Sequence, residues 1–265
     1  MKGWFGIALV IFAFLRVAPA ASPETTVSPG VVVDRKTSDS RPGSPQTDFA
    51  RLLATARVAY TNVNDYVSTI VVEERIEGVL RPREVGFLKF KKPFSVYIKW
   101  IEGPQANAQA LYVEGLNNGK MLARRPGLLS FLTFRLEPAS KLALRDNRHP
   151  ITEAGIGYLL DILGANFTRA TTAGQGRIQR LADNPRLVPQ GTRYELRVEA
   201  NDKDRAGYYC HRAVVTFDPK IHLVVAVQVF DWENLMVEYC RYLGLRLNVG
   251  LSERDFDPEN PEYGF

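Results

Sequence analysis

The 265 residues carry 34 Lys or Arg against 29 Asp or Glu, a formal charge of +5, with three histidines and two cysteines. That mild balance lacks the concentrated basic stripe a nucleic-acid partner needs, and three scattered histidines with no pair at ligand spacing exclude an evident zinc or iron site. With 45% hydrophobic residues the chain can bury one sizeable core.

Met1-Lys2 forms a short positive start, Gly3 to Leu15 is an uncharged apolar run, and Ala18-Pro19-Ala20 supplies small residues where a signal peptidase reads. The run is shorter than the ~20 residues that span a bilayer. Residues 1–20 are therefore expected to be a cleaved signal peptide, and the protein to be periplasmic and peripheral to a membrane at most. Cleavage removes Lys2 and Arg16 and lowers the charge to +3. No Cys follows the run, so a lipid-modified N-terminus is not indicated. Residues 21–46 are rich in Ser, Thr and Pro and are expected to be a disordered linker. A single domain is expected over 47–265.

The domain opens with a helix. Ser44 or Thr47 can cap it, Pro45 suits its first position, and Phe49, Leu52, Leu53 and Ala56 follow at helical spacing. After Asn62-Val63-Asn64-Asp65 the period becomes two. Strands are predicted over Tyr66–Ile76, Glu84–Lys91, Phe94–Trp100, Gln109–Glu114, Lys120–Arg124 and Phe131–Leu136. Phe94, Val96, Ile98 and Trp100 share one face, with Ser95, Tyr97 and Lys99 on the other, the pattern of an antiparallel sheet with one buried face. A second helix is predicted with Thr152 as cap, Ile156, Leu159, Leu160 and Leu163 as apolar stripe, and Gly164 as its end. Strands follow over Arg177–Leu181, Tyr194–Glu199, Tyr208–Phe217, His222–Phe230 and Leu235–Leu243. The fold class is α+β: a strongly curved antiparallel meander of about eleven strands, an unclosed barrel, wrapped around or capped by two helices.

Chemistry is sparse. Neither a Gly-x-Ser-x-Gly elbow nor a phosphate-loop glycine pattern occurs, and nothing singles out a catalytic carboxylate pair, so no enzyme, cofactor or metal is expected. Arg148, His149 and Glu153 have two readings: a turn and helix cap, which is preferred, or a polar site at a helix start where backbone N–H groups favour anions. Aromatic and aliphatic residues of the early strands, Phe87, Phe90, Phe94, Val96, Ile98, Trp100, Leu111 and Phe134, are either ordinary core or the wall of an apolar cavity. Cys210 and Cys240 are predicted to be separate thiols. Strand register, with Phe217 facing Leu223 and Cys210 facing Phe230, sets them ~16 Å apart, beyond the ~7 Å that a disulfide allows. The tail from about 251 to 265 holds five acids with Phe256, Tyr263 and Phe265 interleaved; packing on the domain is the preferred reading, docking to a partner the alternative.

The runs Glu74-Arg75-Ile76-Glu77-Gly78, Phe87 through Trp100, Ala110 through Gly115, Asn147 through Gly157, Leu245 through Leu251 and Asp255 through Phe265 resemble an exported bacterial family known as domain of unknown function 1571, over roughly residues 48–265. More distantly, Lys92-Pro93-Phe94 leading to Trp100 is similar to the Arg/Lys-Pro segment of the LolA periplasmic lipoprotein carriers, departing from it in carrying Lys92, not Arg, and in its spacing. That resemblance implies an unclosed barrel with an apolar cavity, and an envelope carrier or sensor for a lipid or acylated protein. The alternative is a non-catalytic module docking an envelope protein through a sheet edge or the acidic tail.

Overall fold

The computed structural model describes residues 43–127, 131–186, 188 and 191–265; the signal peptide and nearly all of the linker expected from the sequence lie outside the described residues. Helix α1 (Pro45–Thr61) begins as its sequence dictates. Ser44 Oγ accepts the Thr47 N–H at 3.2 Å, Pro45 stands in the first turn, and Phe49, Leu53 and Ala56 turn inward. Replacing Ser44 by Ala is expected to cost ~1 kcal/mol and to lower the thermal midpoint by ~2–4 °C, read by circular dichroism.

The strands are β1 (Asp65–Ile76), β2 (Val79–Leu80), β3 (Glu84–Lys91), β4 (Ser95–Glu102), β5 (Gln109–Val113), β6 (Met121–Arg124), β7 (Thr133–Leu136), β8 (Gly176–Leu181), β9 (Thr192–Val198), β10 (Arg212–Asp218), β11 (Leu223–Phe230) and β12 (Met236–Leu247). They form one antiparallel sheet in the order β7-β6-β5-β4-β3-β1-β12-β11-β10-β9-β8, with β2 paired to β1. The expected single meander is thus two meanders, joined where β1 pairs with β12 from Tyr66↔Leu247 to Glu74↔Glu238. Both of these strands run for 12 residues, and their pairing closes a contact between the domain's two chain ends that no hairpin signal announces. The sheet path ends at β7 and β8 without joining them, so the barrel is unclosed.

Helix α2 (Ile156–Thr172) departs from its sequence reading at both ends. Thr152 lies in a short 3-10 turn, Ile151–Glu153, and the cap is Gly155 at φ +106°. A side chain there would meet the Tyr66 hydroxyl and the Phe90 ring. The first orphan N–H of the helix, on Ile156, donates to Tyr66 Oη at 3.0 Å, so the sheet supplies the cap that local residues do not. Gly164 is buried in mid-helix instead of ending it. Its missing side chain leaves room for Arg57 of α1, whose Nη2 reaches the Leu160 carbonyl. Packing against α1 outweighs the glycine's poor helix propensity.

One half of the concave face is filled. Phe49 packs at 5.1 Å from Phe167 of α2, 5.7 Å from Tyr194 of β9 and 5.8 Å from Phe217 of β10. The convex face is not left wet either. Tyr97, Leu111 and Leu122 point outward yet are buried, because the C-terminal tail crosses them. Phe256 is buried there, Tyr263 stacks on Tyr97 at 3.9 Å, and Lys89 donates to Asp255 at 3.1 Å and to Glu262 at 3.4 Å. Buried Asp65 fixes the start of the tail by accepting the Val249 and Gly250 N–H groups.

The register around the cysteines differs from the sequence expectation. A bulge at Thr216/Phe217 sets Phe217 opposite Val224, and Arg212, not Cys210, faces Phe230. Cys240 pairs with Val227, and both thiols are free.

Candidate functional site

The other half of the concave face is hollow. Between the sheet and α2 lies a cavity of about 470 Å³. Its floor follows from the register: Leu88, Ile98, Ala110, Ala123 and Phe134 stand opposite one another in one row across β3 to β7. Two alanines between larger neighbours leave the space. Trp100 lies over Gly86, where any Cβ would come within 2.8 Å of its ring, so the glycine lets the indole lie flat against the wall. Ile70 and Val72 of β1, Ala213 of β10, Val227 and Val229 of β11, and Leu159, Ile162 and Leu163 of α2 complete an apolar lining.

Of the eight apolar candidates, Ile98, Trp100 and Phe134 line the cavity. Phe90 and Val96 are core, with Phe94 packed against it. Phe90 stacks on Tyr66 at 5.0 Å and meets Phe94 at 5.3 Å, and Phe94 reaches Tyr112 at 5.9 Å, so these rings seal the end of the sheet where α2 begins. Leu111 and Phe87 point to the convex face, Leu111 beneath the tail. Strand alternation sorts faces correctly but does not say where along a face a strand meets packing and where it meets space.

A loop, residues 137–155, leaves β7 and enters α2 at this same end, and its middle covers the opposite end of the cavity. None of residues 137–150 is fully buried, and polar bonds hold the loop. Arg125 pairs with Asp146 at 2.6 Å, and the Arg148 N–H donates to Glu74 Oε2 at 2.8 Å. His149 is the main strut. Its Nδ1 lies 2.8 Å from Glu153, its Nε2 2.8 Å from the Tyr209 hydroxyl and 3.4 Å from Glu238, while Tyr209 donates to Glu238 at 2.6 Å. Burial works against a charged ring, but the Glu238 and Glu153 carboxylates outweigh it and lift His149 to about 9. Burial likewise opposes ionisation of Glu238, and the bonds from His149 and Tyr209 overcome it and hold that carboxyl below its usual range. Glu74 is raised, because burial outweighs the Arg148 N–H. Both cysteines line the cavity, and burial pushes Cys210 up to about 12, leaving a neutral, unreactive thiol.

His149 and Glu153 are thus brought together, but with Glu74 and Glu238 added the site is a carboxylate-rich strut, not the anion site considered from sequence. Arg148 contributes its backbone N–H to Glu74 and its side chain beside Tyr209 and Glu238. Sequence reading missed Glu74, Tyr209 and Glu238. A signal existed for two of them: Glu74 continues the apolar phase Ile70-Val72, and Glu238 shares its phase with Cys240 and Tyr242, so each puts a charge on the buried side of a strand. Among the described residues no group of three or more His, Cys, Asp or Glu is placed to hold a metal ion, and no helix is long and apolar enough to cross a membrane.

Fold and site together define a class: an unclosed antiparallel wrap with one helix-covered apolar cavity and a polar-latched loop across it. The chain belongs to the family described as "Protein of unknown function (DUF1571)", which matches residues 63–265. Among solved structures it is similar to a DUF1329 family protein from Desulfovibrio piger, at 13% identity and a TM-score of 0.38 over 81% of this chain and 98% of that one. It is similar to a LolA superfamily protein from Nitrosomonas europaea, at 8% identity and a TM-score of 0.32 over 78% and 96%. A third likeness is the Mycobacterium tuberculosis lipoprotein LppX, at 9% identity and a TM-score of 0.42 over 78% and 99%. These are distant likenesses. No curated protein matches the sequence.

Proposed function

We propose that this chain is an exported envelope protein, non-catalytic, that carries or senses a lipid or an acylated protein by holding an acyl chain in its apolar cavity. The observation behind this reading is the hollow itself. Protein interiors leave few voids larger than a water molecule, whereas this one reaches about 470 Å³, within the roughly 300–1,000 Å³ of small-molecule pockets. Its walls offer no buried charge except at the loop-covered end, so burial of apolar area would drive loading. Each methylene transferred from water is worth ~0.8 kcal/mol, or about a fourfold gain in affinity.

The expected result is a ladder. Affinity for straight-chain fatty acids, measured by displacement of an apolar fluorescent probe, rises about fourfold per added methylene and then levels off when the cavity is full. A flat series, together with native mass spectra showing no bound lipid in freshly purified protein, would remove this reading. Docking through the acidic tail is disfavoured by the burial of Phe256 and the stacking of Tyr263 on Tyr97.

A further inference from the structure

Large exposed apolar side chains are unremarkable when scattered, but among the described residues six of the ten gather at one end, with Val58, Leu116 and Val249 elsewhere. Register places the end of β1, the start of β3, the end of β4, the end of β6, the start of β7 and the β11–β12 turn at one end of the sheet. Several connections there carry an exposed tip. Val79 and Leu80 stand in the β1–β3 hairpin, Ile101 at the end of β4, Phe131 and Leu132 before β7, and Leu235 in the β11–β12 turn, with Phe131 74% exposed. This is also the end where Asp146 and Arg148 hold the loop over the cavity. Leu142 of that loop lines the cavity and is 46% exposed, so the hollow reaches the surface through the loop. The loop turns its cations outward. Lys141, Arg145 and Arg148 are exposed, while its acids Glu137, Asp146 and Glu153 are paired with Lys120, Arg125 and His149.

We propose that this end of the molecule docks on an anionic lipid bilayer, with the apolar tips entering the interface and the loop cations resting on acidic headgroups. Apolar insertion and electrostatic attraction are the two terms that hold a peripheral protein to such a surface. Docking places Leu142 at the headgroup level, where an acyl chain passes between bilayer and cavity without crossing water. This extends the cavity reading, but the docking itself rests on the tips and the loop charge.

The test is flotation of the purified protein with vesicles of phosphatidylcholine containing phosphatidylglycerol, and with vesicles of phosphatidylcholine alone. Leu80→Ser/Ile101→Ser/Phe131→Ser is expected to bind the anionic vesicles at least ~10-fold more weakly than the parent, and Lys141→Glu/Arg145→Glu to lose the preference for anionic over neutral vesicles. Both share the parent's N-terminus, so the comparison reads this end alone. Both should keep the parent's circular dichroism spectrum and its affinity for the apolar probe. If the parent fails to float, or the triple variant floats equally well, docking is overturned whatever the probe does. If vesicles are bound but the probe is not, docking stands and the cavity reading falls.

Discussion

Ala110→Phe/Ala123→Phe is expected to close the cavity while leaving the fold intact. Both alanines lie in the floor row between Ile98 and Phe134, and both line the hollow. Overpacking a tight core costs ~1–3 kcal/mol. Here the new rings enter empty space, so the change in unfolding free energy should stay within ~1 kcal/mol, or favour the fold. Displacing room for about four methylenes removes ~3 kcal/mol of binding, on the order of a hundredfold. Denaturant unfolding and probe titration on the same sample separate the two effects. Unchanged probe affinity in a folded variant would show that the ligand sits elsewhere.

Glu238→Ala is expected to be the costliest polar change. It leaves the half-buried His149 without one of its two carboxylates, and the Tyr209 hydroxyl without its acceptor. Breaking a buried pair by removing one partner costs ~3–5 kcal/mol, and partial exposure of this one places the expectation near ~3 kcal/mol. The pH dependence carries the sign. His149 binds its proton more tightly folded, about 9, than unfolded, 6.5. Its stabilisation is therefore complete below ~6.5 and lost as pH rises to about 9. Glu238 is held below its usual value, so its share is present above ~4.5 and lost on acidification through its lower folded value. The shares of His149 and Glu238 should together hold from ~4.5 to ~6.5, and that of His149 decline toward 9. These add to a separate loss above ~4.5 as the raised carboxyls of Glu74 and Glu84 ionise. In Glu238→Ala the alkaline decline should shrink and end at lower pH. A parent curve flat from 6.5 to 9 would mean His149 is not the charged strut described.

Much of the architecture was legible because it is written locally. Ser44-Pro45 announces a helix start, and the period-two alternation of Phe94 to Trp100 assigns Val96, Ile98 and Trp100 to the concave side and Tyr97 to the convex side. What alternation cannot report is depth. Val96 and Trp100 share a face, yet one is core and the other cavity wall, because helices cover that face unequally. Tyr97 occupies a nominally wet face, yet is buried because a tail more than 150 residues later crosses it. Glu74 and Glu238 are neighbours only through the β1–β12 pairing, so neither strand alone reveals a shared site.

The amino-acid order by itself determined which segments are helix or strand and which side chains face together, since turn chemistry and periodicity act over a few residues. Only the tertiary structure decided that β1 meets β12, that α1 fills one half of the concave face and leaves the other open, and that His149 reaches Glu238. Those outcomes depend on how elements far apart in the chain divide a common volume, and no local propensity encodes that division.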